Sequence, residues 1–273
     1  MAIVSTNEDL TEVAFSKQAS IFDSIYSPNA IIEYKRRCVR KHLERYLQPE
    51  SNILELNSGT GEDAVYFSGL GHRIHATDIS EGMQGVLIEK VIRNGLQHKV
   101  STELCSFTQL NHLKNKGPYD AVFSNFAGLN CTDKLTKVLD DLDALLKPGG
   151  IVTLVMLPKF CLWETLLLLK GKFKTATRRF FSSKGRKANV EGVGFKCWYY
   201  NPSFIQNHLR DNFKTLSLEG LCTFVPPSYI ENFADKHKTS FAFLQRLESK
   251  YKNRWPWKYI GDYYILTLRK SEN

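Results

Sequence analysis

Between residues 50 and 157 short apolar runs alternate with segments whose apolar positions recur at helical spacing. The run NILEL at 52–56 has the nearly continuous apolar character of a buried strand, and EDAVYFSGLG after it reads as a helix stopped by glycine. Residues 72–77 (HRIHAT) alternate as a second strand, and 99–104 (KVSTEL) and 119–124 (YDAVFS) give a third and a fourth. Met83, Val86, Leu87, Val91 and Ile92 share one helical face behind Ser80, a residue type that caps helix starts. Leu135, Val138, Leu139, Leu142, Leu145 and Leu146 share another, with Thr132 placed to cap it and Pro148-Gly149-Gly150 to stop it. IVTLVML at 151–157 is apolar throughout, as expected of a strand covered on both faces. This rhythm predicts a doubly wound α/β layer with parallel strands and right-handed crossovers, which receives ligands at the carboxyl ends of its strands.

After residue 157 the rhythm breaks. FCLWETLLLLKGKFK (160–174) reads as one apolar helix running into a basic segment, and a further helix begins near Pro202. Residues 214–224 and 262–270 predict a sixth and a seventh strand, with a helix at 239–251 between them. Helical patterns also fill 14–26 and 32–47. No Gly-, Ser- or Pro-rich linker divides the chain, so it reads as one domain: a helical cap at 1–50, a ligand-binding core at 51–157, a basic and apolar insertion or lid at 158–200, and the last two strands with their helices at 201–273.

The 273 residues are 42% hydrophobic and 24% charged, an ordinary globular balance. No apolar run reaches the roughly 18 residues of a membrane span, and the N-terminus lacks the pattern of a secretory signal. Six cysteines are scattered singly with no Cys/His cluster, which predicts neither a metal site nor a disulfide framework and fits a cytoplasmic protein. The net charge is +9, and eight cations with no acid lie between Lys170 and Lys187.

Gly59-Thr60-Gly61-Glu62-Asp63-Ala64 follows the first strand and satisfies G-x-G-x-x-G/A, with Asp78 at the end of the second strand. Such a turn suits either a dinucleotide or an S-adenosyl ligand, and in both Asp78 would bond ribose hydroxyls. Charge separates them. A pyrophosphate favours a helix N-terminus, but here Glu62 and Asp63 occupy that first turn. Two like charges about 5 Å apart repel by about 1 kcal/mol in water and about 3 kcal/mol at an effective dielectric of 20. A sulfonium and an ammonium would instead be drawn to Glu55. Glu62 and Asp63 could also simply complement the helix dipole.

ILELNSGTGEDA, GHRIHATDISEGM, YDAVFSN and LKPGGIVTLVML, in that order, resemble the motifs of the class I S-adenosylmethionine-dependent methyltransferases, over roughly residues 50 to 157. The resemblance implies a Rossmann-like seven-stranded sheet, mostly parallel with an antiparallel last strand, and S-adenosyl-L-methionine as cofactor. It implies that Glu55, Asn57, Gly59, Gly61 and Asp78 form the cofactor turn and ribose contact. Ile79 and Met83, with Phe107, would pack on adenine, unless Met83 and Phe107 belong to the core; Asn125 would lie beside the methionine part. Two positions depart from the motifs. Asn57 replaces a glycine, although asparagine tolerates a left-handed backbone. Ser106 stands where an acid usually meets the adenine amino group.

The family's reaction is an in-line displacement at the sulfonium methyl, in which protein positioning dominates. A general base is required only for an acceptor proton of high pKa; the candidates are Tyr26, Tyr199 and His208. SNFAGLN lacks the Asn/Asp-Pro-Pro-aromatic pattern of enzymes that methylate base amines, which leaves a small, partly apolar acceptor. The insertion admits several readings: a lid for an acidic lipid-like molecule, contact with an anionic membrane, contact with RNA phosphates, or a solvated basic loop. Phe15, Tyr26 and Tyr34 are candidates to line the cap. Two rival readings remain: an NAD-dependent oxidoreductase using the same turn, and a non-catalytic cofactor-binding module recruited to RNA through residues 170–187. The oligomeric state is not legible.

Overall fold

The structure, a computed structural model, describes residues 6–230 and 232–272; the first five residues of the expected cap lie outside it. Helices α1 (Asn7–Tyr26) and α2 (Ala30–Glu44) precede β1 (Asn52–Leu56), α3 (Glu62–Gly69), β2 (Arg73–Asp78), α4 (Glu81–Arg93), β3 (Val100–Leu104) and β4 (Tyr119–Ser124). After α5 (Leu135–Leu145) and β5 (Leu146–Met156) comes the insertion, with α6 (Leu162–Leu166), α7 (Phe173–Ala176), β6 (Arg186–Val190) and β7 (Val193–Cys197). Then follow α8 (Pro202–Leu209), β8 (Phe213–Leu221), α9 (Phe233–Lys236), α10 (Lys238–Tyr251) and β9 (Tyr263–Lys270).

Seven strands form one sheet in the order β3-β2-β1-β4-β5-β9-β8. β1 through β5 pair in parallel, and β9 is antiparallel to both β5 and β8. The expected fold class is therefore the observed one. Alternate residues of each central strand serve opposite faces: Leu54, Val122, Val152 and Leu154 enter one apolar cluster, and Ile53, Ala121, Phe123 and Val155 the other. That two-sided burial is why these strands read as unbroken apolar runs. Because β1 and β4 are neighbours, strand order reverses between them, and β9, running backwards, starts at the same edge where the parallel strands end.

Two local expectations are corrected. Leu146 belongs to β5, not α5: it pairs with Tyr119, and Pro148-Gly149-Gly150 lies inside the strand, at a register shift where Gly149 has φ +73°. The segment 160–174 is not one helix. Two short helical pieces flank Gly171, whose φ of +67° reverses the chain and returns Arg178 and Arg179 to the buried Glu164. Arg179 also reaches Asp262 at 2.7 Å. Inward ion pairing thus occupies part of the basic run; the side chain of Lys170 lies outside the described ones. Leu169, Phe173 and Phe181 of this segment are exposed.

The hairpin β6–β7, turned through Glu191 and Gly192 at positive φ, was not anticipated. It packs on α1: Asn7 accepts from the Lys196 N–H at 2.6 Å and donates to Lys196 O at 3.2 Å, and Phe15 meets Phe195 at 5.9 Å. Cys131 and Cys197, far apart in sequence, bring their sulfurs to 4.0 Å as free thiols. α1 begins in a capping box between Thr6 and Asp9 and crosses α4 at Gly82, where a Cβ would lie 2.8 Å from Ser16 O. α2 is capped by Asn29 and anchored to β8 by Arg45 and His42 on Glu219.

The glycine turn allows a direct test of this packing. Gly61 has φ +78° and no room for a Cβ, which would sit 2.5 Å from Leu87 Cγ, whereas Gly59, at φ +54°, faces open space. Gly61→Ala is expected to lose about 2–5 kcal/mol, from left-handed strain plus overpacking, and Gly59→Ala about 1–2 kcal/mol. Urea unfolding of the two variants checks the difference; equal midpoints would contradict it.

Candidate functional site

A cavity of about 330 Å³ opens at the carboxyl edge of the sheet, across the β1/β4 reversal. It gathers Glu55 from β1 and Asn57 and Gly59 from the loop after it, Asp78 at the end of β2 and Ile79 beyond it, Met83 from α4, Phe107 after β3 and Asn125 after β4. Gly61 lies beneath it, capping α3. Phe15, Phe22 and Tyr26 of α1 roof it, whereas Tyr34 is turned into the core against Phe241 at 6.0 Å. A wider open groove of about 1400 Å³ lies alongside and shares Ile79 and Cys131 with it; Ser106 lines that groove, not the cavity.

The turn is held by its own polar groups. Asn57 adopts φ +47°, donates to Asn125 O at 2.9 Å and accepts from the Ser124 hydroxyl at 2.6 Å, with Gly128 packed against it so closely that no Cβ would fit. Its side chain therefore ties the β1 loop to the β4 loop, a role that its backbone tolerance alone did not reveal. Asp78 accepts the Gly59 N–H at 2.8 Å and the Ser80 N–H at 2.9 Å, so the second strand fixes the turn of the first. Burial nonetheless raises the Asp78 carboxyl above its ordinary pKa, against the pull of those N–H groups.

The acids after the turn do not form a free negative rim, as the sequence suggested. Glu62 pairs with Arg36 at 3.1 Å and with Lys90 at 2.6 Å, and Asp63 pairs with Arg40 at 2.7 Å and accepts from Asn125 at 2.7 Å. Glu55 is different. It is 4% exposed, it lines the cavity, and among the described residues its carboxylate has neither a hydrogen-bond donor nor an ion-pair partner. Burial first, and Asp63 next to it, push its pKa well above the glutamate range. The charge discrimination therefore rests on Glu55 and Asp78.

A carboxylate reaches the loop after β3 from another element. Ser106 and Thr108 both donate to the Glu8 carboxylate of α1, Thr108 at 2.8 Å. Of the proposed bases, Tyr26 faces the cavity beside Phe22, with ring centroids 4.6 Å apart. Tyr199 does not line it; it lies under the Arg179 guanidinium at 5.2 Å, its phenol raised by burial. His208 is also outside, paired with Asp140 at 2.7 Å between α8 and α5.

The end of the cavity near β9 is built from residues that the motifs do not mark: Ile32, Lys35 and Arg36 of α2, Phe126, Ser228 and Tyr263. The Lys35 ammonium lies 4.6 Å from the Tyr263 ring centroid. Burial works against its charge, but Tyr263 and Asp262 more than offset this, and its pKa stands above the usual lysine value. Phe126 holds φ +49°, a strained conformation for a bulky residue that places it in the cavity wall.

Glu55 makes a prediction about stability. A carboxyl whose pKa is raised by folding binds its proton more tightly in the folded chain, so stability falls as pH rises from the ordinary glutamate range through the raised value. Glu55→Gln is expected to melt at a higher temperature than the parent at about pH 8, with the gain vanishing near about pH 4. Thermal melts across pH check this; a lower melting temperature at the alkaline end would show that the charge is compensated.

Residues 53–150 match the family model for a methyltransferase domain. Over 125 residues the chain is 31% identical to a demethylmenaquinone methyltransferase of Bacteroides fragilis, covering 44% of this chain and 50% of that one. A demethylmenaquinone methyltransferase of Leptospira interrogans is 28% identical over 142 residues, 50% of this chain and 56% of that one. The chain thus spans about half the length of the curated relatives it matches. Among solved structures, the (4+2)-cyclase SpnF superposes with a TM-score of 0.64 at 17% identity, covering 99% of this chain and 98% of that one. The 1,6-didemethyltoxoflavin N1-methyltransferase of Burkholderia thailandensis, solved with S-adenosylhomocysteine, superposes with a TM-score of 0.57 at 16% identity, covering 99% and 93%. These two establish the fold, and the presence of a cyclase among them shows that the fold alone does not dictate the reaction. Residues 53–150 thus match a methyltransferase domain, over the same stretch in which the sequence resembles the class I S-adenosylmethionine-dependent methyltransferases.

Proposed function

We propose that this chain is an S-adenosylmethionine-dependent methyltransferase acting on a small, partly apolar molecule. The observation that carries the reading is Glu55: a buried carboxylate facing a cavity, with no partner among the described residues, calls for a cationic ligand group. The donor set around it fits such a ligand. Glu55 would take the ammonium, Asp78 the ribose hydroxyls, and Ile79, Met83 and Phe107 the flat base. Asn125, already engaged with Asp63 and the Phe126 N–H, would act by shaping the wall. When bound, S-adenosylmethionine supplies an electrophilic methyl on sulfonium.

The chain's own contribution is to orient the acceptor and exclude water. Phe15, Phe22 and Tyr26 from α1, with Phe126 and Tyr263, enclose the space an acceptor would occupy. Closure on apolar walls favours an in-line approach more than proton transfer does. Tyr26 is the cavity-lining hydroxyl among the proposed bases. The names of the curated relatives and of the toxoflavin enzyme, all methyltransferases of small molecules, support the same class of acceptor.

Calorimetry separates this from the oxidoreductase reading: the chain is expected to bind S-adenosylhomocysteine and not NADH, and the reverse result would end the proposal. Asp78→Ala is expected to weaken S-adenosylhomocysteine binding by about 1–3 kcal/mol, as for a lost hydrogen bond to a charged group. Unchanged affinity would place the ribose elsewhere.

A further inference from the structure

The β9 end of the cavity has a property that methyl transfer to a neutral molecule does not require. Lys35 is 2% exposed, and its ammonium donates to Ser228 Oγ at 3.1 Å. The nearest acid, Asp262, stands 4.0 Å away through Oδ2, beyond hydrogen-bond reach, and its Oδ1 is already held by Arg179 at 2.7 Å. Beside Lys35, Arg36 reaches Glu62 through Nη1 at 3.1 Å, while its Nε–H is shut off from the cavity and has no partner among the described residues. Tyr263 and Asp262 keep the Lys35 ammonium charged in spite of its burial, and an ammonium has three N–H groups to donate. A charged donor in the wall of a cavity, with a second cationic side chain beside it, fits an anion that arrives with the ligand.

The surroundings narrow its kind. Lys35, Arg36, Lys90, Arg178 and Arg179 are linked by ion pairs to Asp23, Glu62, Glu164 and Asp262, five positive charges against four negative ones, leaving an excess of one. A monoanion balances that; a phosphate dianion overshoots. The aromatic rings of Phe126 and Tyr263 form part of the wall, with the Arg36 guanidinium 5.3 Å and the Lys35 ammonium 5.9 Å from the Phe126 centroid. Aromatic rings of this sort favour a flat partner.

Building on the methyltransferase reading, we propose that the acceptor is an aromatic or similarly flat carboxylic acid whose carboxylate is received by Lys35 and Ser228, with the Arg36 charge beside them. The cofactor's cation is then met by Glu55 and the acceptor's anion by Lys35, so the two ends of one cavity carry opposite charge. Lys35 is a specificity-determining residue in this arrangement: it selects acids over neutral analogues of the same shape.

The test uses calorimetry on the full chain saturated with S-adenosylhomocysteine. The probes are paired acids and amides: benzoate with benzamide, 4-hydroxybenzoate with 4-hydroxybenzamide, and 2-naphthoate with 2-naphthamide. At least one acid is expected to bind about tenfold or more tightly than its amide, the mark of a charge-assisted contact. Lys35→Met is expected to bring that preference below about twofold with S-adenosylhomocysteine affinity unchanged, and the milder Ser228→Ala to cut it about threefold. If Lys35→Met does not melt cooperatively, Ser228→Ala carries the test. Amides binding as well as acids in every pair, or a preference that survives the substitutions, overturns the proposal. Failure to bind S-adenosylhomocysteine sinks the cofactor reading instead, and the acid–amide comparison on the free chain still decides this one.

Discussion

A carboxylate buried without a counter-charge is the constraint on which the site depends. Glu55 is the next-to-last residue of a central strand flanked by β2 and β4. Arg36 and Arg40 lie close enough to favour its ionised form, yet their guanidinium groups are committed to Glu62 and Asp63. The structure thus withholds compensation at one atom pair while supplying it to the acids next door. In a fold whose other buried acids are densely partnered, as Glu248 is by three backbone N–H groups and Glu164 by two arginines, that contrast marks where a ligand completes the polar network.

Helix α2 connects the two ends of the cavity. Its successive residues Lys35 and Arg36 face the acceptor end, and one turn later Arg40 braces the start of α3. Its placement is fixed twice: by Asn29, which caps the helix and bonds to Ser228 O at 3.2 Å, and by the cluster of His42, Arg45 and Lys252 around Glu219. Burial opposes the charge of Glu219, but His42 and Lys252 overcome this and hold its pKa far below the usual range. A rigid α2 is what allows a lysine to be kept in an apolar wall at a defined place.

The fold was legible because a sheet buried on both faces writes its strands as apolar runs, and turn residues punctuate them. The cofactor end was legible for a related reason: glycines, Asn57 and Asp78 are required by backbone geometry close to one another in sequence. The acceptor end was not. Lys35 and Arg36 sit in a segment, KRRCVRK, that reads as a solvated helix, and no local pattern distinguishes a buried lysine from an exposed one. Glu8, whose carboxylate meets Ser106, comes from 98 residues away. The long helix expected at 160–174 failed because long-range pairing of Glu164 with Arg178 and Arg179 outweighs local periodicity, and the hairpin β6–β7 depends on α1 for its support.

That last contact has a kinetic consequence. Asn7, at the first turn of α1, clasps Lys196 of β7, and Phe15 leans on Phe195, so the N-terminal helix and the insertion form a single roof although 189 residues separate them. Any entry or exit that lifts one must shift the other. Departure of the used cofactor and of the finished product would then be governed by one shared gating motion, and turnover would follow the grip between two distant stretches of chain more closely than the chemistry beneath them.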